Sequence, residues 1–306
     1  MFIVKNKTLF FIITGSLVAI SLASFFVFGL KLGTDFTGGA LVQVNYAKGR
    51  PPVADLSKAL VDAHISDASL REAGEKDYVL RTPPMTADER TILPTALSVG
   101  GKYQPNVTQF SDVGPTIGAE LRAKALIAIV LVLSCILLFI AFAFRKVSEP
   151  VSSWIYGLIA LITLLHDVII PVGFFAALGY FYGAEVDTLF VTAVLTVLGF
   201  SIHDTIVVFD RVRENIAINK ERGRKEPFEE TAGRALNQTF VRSINTSMTV
   251  VFTLLVLYFL GPVSTQYFAL TLLVGIIAGT YSSIFLATPL LVVWDRKNAN
   301  AGKKKK

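Results

Sequence analysis

The chain has 306 residues, of which 53% are apolar, 23 are phenylalanine and only 17% carry charge. That composition excludes an ordinary soluble enzyme domain and points to an integral membrane protein. The net charge of +6 is no sign of nucleic acid as a partner, because the basic residues gather at the ends of apolar runs, where they set membrane topology.

The first apolar run, Thr8 to Leu30, is long enough to cross a bilayer and too long for a signal-peptide core. Lys31-Leu32-Gly33 after it does not resemble a small-residue cleavage site, so an uncleaved anchor at 8–30 is expected. About ninety residues follow before the next apolar run, too many for a structureless loop, and a folded domain is expected over 31–121. In it, Ala40 to Tyr46 alternates with Val42, Val44 and Tyr46 on one face, as a strand does. Val53 to His64 places Val53, Leu56, Leu60 and Ala63 at helical spacing behind Pro51 and Pro52. Ala68 to Glu72 and Asp77 to Thr82 read as short strands meeting around Gly74. Thr86 with Glu89 forms a capping box that opens a helix to about Leu97, which Pro94 should strain or shorten. Lys102 to Phe110 reads as extended. Strand, helix, strand, strand, helix, strand is the order of a ferredoxin-like domain.

Glycines mark both junctions of this domain: Gly33, Gly38 and Gly39 around Asp35 in LGTDFTGGA, and Gly114 and Gly118 in VGPTIGAEL. Two readings stand side by side. Gly38, Gly39, Gly114 and Gly118 are hinges for a moving domain, or they supply loop geometry that other residues cannot. Neither stretch has the Lys-Ser/Thr of a phosphate-binding loop.

Five further spans are expected within 122–297: Ala125 to Phe144, Val151 to Tyr182, Leu189 to Phe209, Thr239 to Leu260 and Tyr267 to Trp294. Basic residues at Lys5 and Lys7, Arg145 and Lys146, Arg211 to Lys225 and Arg296 to Lys306 all fall on one side. Both termini are therefore expected to be cytoplasmic, with the 31–121 domain on the opposite side. The segment 210–238 reads as an interfacial charge-laced helix held by mutual salt bridges, and 298–306 as a basic tail near anionic lipid. Cys135, the only cysteine, permits no disulfide within the chain and no thiolate metal cluster.

Two of the three histidines precede an aspartate inside a span, His166-Asp167 and His203-Asp204. A carboxylate in hydrocarbon costs at least ~2.5 kcal/mol, so such residues are functional candidates. Helix neighbours point about 100° apart, so a relay is expected to run between helices rather than within a dipeptide. Counting residues puts Asp204 about 8 Å from the near end of its span and Asp167 closer to mid-membrane, a staggered pair. Candidate relay groups are Ser201, Thr205, Asn245, Thr246, Ser247, Thr249, Thr280, Ser282 and Ser283, although membrane serines and threonines commonly bond their own backbone. Two buried carboxylates suit a proton-coupled machine, an intramembrane aspartyl protease or a channel. Stagger and the lack of a Gly-x-Gly-Asp stretch count against the protease, and the large folded domain counts against a plain channel.

The motifs TDFTGG, VGPTIGAEL, HDVII, GFSIHDTIVVFDRVREN and RSINTSMT resemble SecF, the family of subunits of the SecDF accessory complex of bacterial protein translocation, within the RND superfamily. The resemblance spans nearly the whole chain. It implies a membrane α-helical fold: an RND-type half of six transmembrane helices with an α+β ferredoxin-like periplasmic domain between helices 1 and 2. It further implies an inner-membrane protein, not an enzyme, that pairs with SecD beside the SecYEG translocon. YajC and YidC are further implied neighbours, as are unfolded secreted polypeptides and membrane lipids. No cofactor is implied beyond the coupling ion, a proton or sodium, handled at Asp204 with Asp167, His166 and His203. At His203 family members commonly carry Asn. An RND-type exporter of lipid or small molecules is the alternative, disfavoured by the small size of the 31–121 domain.

Overall fold

The computed structural model describes residues 2–65, 67–144 and 151–304, with side chains to residue 297. Arg145, Lys146 and the side chains of the basic tail lie outside the described residues. In chain order the elements are α1 (Lys7–Phe28), β1 (Gly39–Asn45), α2 (Val53–Asp62), β2 (Ser69–Ala73), β3 (Asp77–Thr82), α3 (Ala87–Leu97), β4 (Asn106–Val113), α4 (Pro115–Ala143), α5 (Ser153–Tyr182), α6 (Thr188–Glu221), α7 (Phe228–Leu260), α8 (Gln266–Ser282), a π-helical turn Ser283–Ala287 and α9 (Thr288–Lys304). They fall into two units. One comprises Leu32–Ile127 with Glu185–Thr188, and the other Met1–Lys31, Ala128–Ala184 and Leu189–Lys306.

In the first unit the expected order of strands and helices is present. The four strands form one antiparallel sheet in the order β2-β3-β1-β4. Alternation along β1 buries Ala40, Val42, Val44 and Tyr46 completely, and these pack with Leu56 and Leu60 of α2 and Leu93 and Leu97 of α3. Each such large side chain contributes about 1.5–3 kcal/mol on burial. Burial pushes the Tyr46 phenol above its ordinary range, with Tyr78 adding to the effect, so its hydroxyl stays a donor and bonds the Leu97 carbonyl at 2.9 Å. The capping box is made: Thr86 Oγ1 accepts from the Glu89 N–H at 3.3 Å and the Glu89 carboxylate accepts from the Thr86 N–H at 2.7 Å.

Two boundaries differ from expectation, and Pro94 does not shorten α3, which runs to Leu97 as expected. Only the Arg90 carbonyl loses its helical donor there, and Arg90 is exposed. The helix α2 stops at Asp62 because His64 turns to φ 60°. Finally β4 starts at Asn106 rather than Lys102: Gly100 and Gly101 make a positive-φ turn, and Tyr103 folds inward, edge-on to Tyr46 at 6.2 Å.

The expected hinge glycines are mostly places of close approach. Gly38 (φ 83°) lies where a Cβ would sit 2.8 Å from Pro115 Cα, and a Cβ on Gly118 would lie 3.0 Å from the Gly38 nitrogen. Gly39 (φ 134°) would put a Cβ 2.5 Å from the Thr82 carbonyl oxygen. Gly114 alone of the four has open space. Gly39→Ala is therefore expected to lose at least about 1–3 kcal/mol through backbone strain alone, with the clash added. Faster hydrogen exchange of β1 and β3 amides would show it, and unchanged protection would contradict it.

The segment Glu185–Thr188 is bonded into this unit. The Gly33 N–H donates to the Val186 carbonyl at 2.8 Å, Arg81 pairs with Glu185 at 2.9 Å, and Asp35 accepts from the N–H and hydroxyl of Thr188 at 3.0 and 2.7 Å. The Asp35 carboxylate thus caps the first turn of α6, where helix N–H groups lack partners.

The second unit holds the long apolar helices. Among the described residues, six helical stretches are long and apolar enough to cross a membrane: Lys7–Phe28, Pro115–Ala143, Ser153–Tyr182, Thr188–Glu221, Phe228–Leu260 and Val263–Lys297. Helices satisfy every backbone group internally, which hydrocarbon demands. The last stretch is 67% buried in its most apolar window and α5 and α6 are each 50% buried, against 11–17% for α1, α4 and α7. Hence α5, α6, α8 and the π turn form the interior. Small residues set the closest approaches: Gly173 of α5 meets the Ser21 backbone of α1, while Gly275 and Gly279 of α8 meet Val197 and Ser201 of α6. At one end Phe144 stacks on Tyr156 at 5.2 Å, and Phe209 meets the two rings edge-on at 6.2 and 5.2 Å.

The expected amphipathic segment 210–238 is not a separate element. It is the continuation of α6 and α7 past their apolar stretches, joined at 222–227. Asp210 pairs with Arg213 at 2.6 Å and Arg211 with Glu214 at 2.5 Å. Between the helices, Glu226 accepts from Asn219, Thr231 and Arg234 at 2.7–2.9 Å.

Candidate functional site

The two aspartates come to the interior by different means. In α5 Asp167 is fully buried and His166 is 3% exposed. Asp167 Oδ1 bonds His166 Nδ1 at 2.8 Å, so the dipeptide does bond within itself, a contact the 100° helical step did not suggest. Asp167 Oδ2 accepts the hydroxyl of Ser282 at 2.8 Å and that of Ser201. Three donors from three elements therefore surround one carboxylate, which is how a buried charge is compensated. Pro171 lies four residues on and has no N–H, so the Asp167 carbonyl lacks its helical donor.

Asp204 on α6 is 3% exposed, but its surroundings are poorer in donors. Ser247 of α7 donates to its Oδ2 at a long 3.5 Å, and Ser247 in turn shares a 2.5 Å hydroxyl contact with Thr280 of α8. Arg242 lies on the same helix as Ser247, five residues before it, and His203 precedes Asp204 directly. Ser201, which bonds Asp167, is three residues before Asp204, so the carboxylates are staggered by roughly one helical turn. Thr205 bridges the layers, with its hydroxyl 2.9 Å from that of Ser283.

Of the sequence-selected groups, Asp167, His166, Ser201, Thr205, Ser247, Thr280, Ser282 and Ser283 converge in this way. His203 and Asn245 point outward and are exposed. Thr246 and Thr249 bond backbone carbonyls of their own helix, as membrane threonines commonly do. Sequence reasoning missed Tyr281, which stacks on His166 with ring centroids 6.2 Å apart and donates its hydroxyl to the Phe10 carbonyl at 3.1 Å. It also missed the π turn at Ser283–Ala287. Pro289 and the Ser282-Ser283 pair flank and open that turn, and both were available as signals.

Comparison with known proteins shows the family. A family model described as "Protein export membrane protein SecD/SecF, C-terminal" matches residues 96–297, and one described as "SecD/SecF GG Motif" matches residues 23–49. The "Protein translocase subunit SecF" of Thermobaculum terrenum is 43% identical over 97% of this chain and 94% of that protein. The protein of the same name from Pseudomonas aeruginosa is 35% identical over 92% of this chain and 87% of its own length. Among solved structures, SecDF from Thermus thermophilus, a translocon-associated membrane protein, superposes with a TM-score of 0.81 at 31% identity, covering 96% of this chain and 38% of that one. A SecDF structure in a super-membrane-facing form matches with the same identity and coverage at a TM-score of 0.66. With six membrane-crossing helices, these matches over nearly its whole length show that the chain is a multi-pass membrane protein of the SecD/SecF family of protein export membrane proteins.

Proposed function

We propose that this chain works as SecF subunits do: paired with SecD, it uses an ion gradient across the bacterial inner membrane to help draw secreted polypeptides outward, and catalyses no covalent reaction. The observation that carries the reading is the uneven pair of buried carboxylates, Asp167 with three donors and Asp204 with one long one. A carboxylate so sparsely bonded in a dry core is a place where binding and releasing an ion changes the energy of the surrounding helices. His203, exposed beside Asp204, is assigned to a partner or lipid surface. The coupling ion is a proton in this reading, with sodium the competing outcome.

The Leu32–Ile127 unit is read as a ferredoxin-like domain on the periplasmic side, supported by its β2-β3-β1-β4 antiparallel order with two helices. Both termini are then cytoplasmic, in keeping with the basic residues at Lys5, Lys7, Arg296 and Lys297. Movement of this domain during the cycle is part of this reading, in keeping with a SecDF structure described as a super-membrane-facing form. We assign the hinge to Gly114, the one junction glycine with open space around it. SecYEG, YajC, YidC and the unfolded secreted chain are the remaining proposed partners.

The test is reconstitution of the chain with SecD in membrane vesicles, following outward movement of a secreted polypeptide. Export should rise when a proton or sodium gradient is imposed and fall to the gradient-free level when this chain is omitted. Equal export with and without the gradient would refute the reading.

A further inference from the structure

Both carboxylate oxygens of Asp167 are engaged. Its Oδ1 is occupied by His166 Nδ1 at 2.8 Å, and its Oδ2 by Ser201 and by Ser282 at 2.8 Å. An ionised carboxylate accepts all three bonds, which fixes the proton of a neutral His166 on Nδ1. The other ring nitrogen, Nε2, is buried and has no hydrogen-bond partner, in a residue only 3% exposed. An unpartnered ring nitrogen therefore stands beside a carboxylate that is bonded on both oxygens.

We infer that the proton-binding atom at this depth is Nε2 of His166, with Asp167 remaining ionised as the positioning residue that orients the imidazole. The proposal deepens, and rests on, the ion-coupling reading above. Loading is simple: the Nε2 lone pair takes up one proton to give imidazolium, the Nδ1–H stays on Asp167, and the net charge of the pair goes from −1 to 0. The loaded pair is thus a neutral, bonded ion pair in the dry core, and the unloaded pair is a single negative charge held by three donors. The titratable groups on the elements packed against α5 are Tyr281 on α8, whose ring stacks on the imidazole; Asp204, the exposed His203 and the charged stretch from Asp210 onward on α6; Asp295, Arg296 and Lys297 on α9; and Lys7 at the start of α1, which also contributes the Thr14 hydroxyl to Tyr281. Arg211, Arg213 and Arg296 are paired with Glu214, Asp210 and Glu229.

The alternative is that Asp167 holds the proton on Oδ1 and donates it to His166 Nδ1 across the same 2.8 Å contact, which leaves the ring hydrogen on Nε2. The two states place hydrogen on different ring nitrogens, and the chain has only three histidines. Histidine-selective 15N labelling of this chain, reconstituted in bilayers with unlabelled SecD, therefore separates them, the His166 signal being identified by its loss in His166→Gln. The expected spectrum shows Nδ1 protonated and Nε2 bare at alkaline pH. Both nitrogens should be protonated at acid pH. In Asp167→Asn the doubly protonated ring should be missing at the acid pH that gives it in the unaltered chain, because its counter-anion is gone. Nε2 protonated with Nδ1 bare would overturn the proposal in favour of Asp167, and so would a His166 signal that does not change with pH. If the Asp167→Asn chain does not fold, the titration of the unaltered chain decides alone. None of these outcomes touches the gradient response of export, so failure here and failure of the ion-coupling reading are distinguishable.

Discussion

Asp204→Asn is expected to fold, insert and bind SecD, yet to lose the whole of its gradient-dependent export. Asn matches protonated Asp in shape and its amide oxygen accepts the same long bond from Ser247, so packing at this 3% exposed site survives. What disappears is the ability to ionise. Moving one charge through 100 mV is worth about 2.3 kcal/mol, a roughly 40-fold bias per step, and a side chain that never changes charge collects none of it. Export from vesicles carrying the variant should equal the gradient-free level of the parent, while Asp204→Glu, ionisable but longer, keeps part of the response. Repeating the assay with a proton gradient and then a sodium gradient identifies the ion. A full gradient response in the Asn variant would reduce Asp204 to a packing residue.

The second large effect is structural. Gly173→Val should detach α1 from α5, because even a Cβ at Gly173 would lie 2.4 Å from the Ser21 carbonyl oxygen and 2.5 Å from its Cα. These are backbone atoms, which cannot rotate aside. Overpacking commonly costs about 1–3 kcal/mol where side chains adjust, and here the cost lies at or beyond the upper end. The bond from Ser24 Oγ to the Gly173 carbonyl at 2.7 Å would be lost as well, and with α1 would go the Phe10 and Thr14 contacts to Tyr281. Thermal unfolding in detergent should show a large drop for Gly173→Val and almost none for Gly15→Val, since nothing lies within 4 Å of a Cβ at Gly15. Equal stability of the two would mean that the helices do not approach as described.

Much of this was legible in the sequence because it rests on local rules. Apolar length alone marks the six spans, period-two alternation marks β1, and the Thr86–Glu89 capping box names the start of α3. Strand β4 was harder, for its residues from Asn106 to Phe110 are exposed and show no alternation, so only the turn at Gly100 and Gly101 marks its approach. The intramembrane aspartates announce themselves by cost. Their partners do not: whether a serine in a span bonds its own backbone or another helix depends on rotation and spacing, as the contrast between Thr249 and Ser282 shows. Likewise Tyr281 is an ordinary apolar-run residue until α8 is placed beside α5. The junction glycines illustrate the limit best. The same letters serve a hinge or a tight contact, and only the neighbouring backbone of Thr82 and Pro115 decides between them.

The π turn at Ser283–Ala287 bears on how this chain tolerates changes in length. A π turn carries one residue more than an α turn over the same stretch of axis. Removing a single residue from within it would let the stretch revert to regular α-helix, leaving Ser282 and Thr280 on one side and Leu291 and Val292 on the other still facing their present neighbours. The same deletion one turn earlier or later would rotate everything beyond it by about 100° and carry either the serine pair or the core leucines out of register. The last span therefore has a built-in slack of one residue, located at the turn that begins with Ser283, directly after the serine that bonds Asp167.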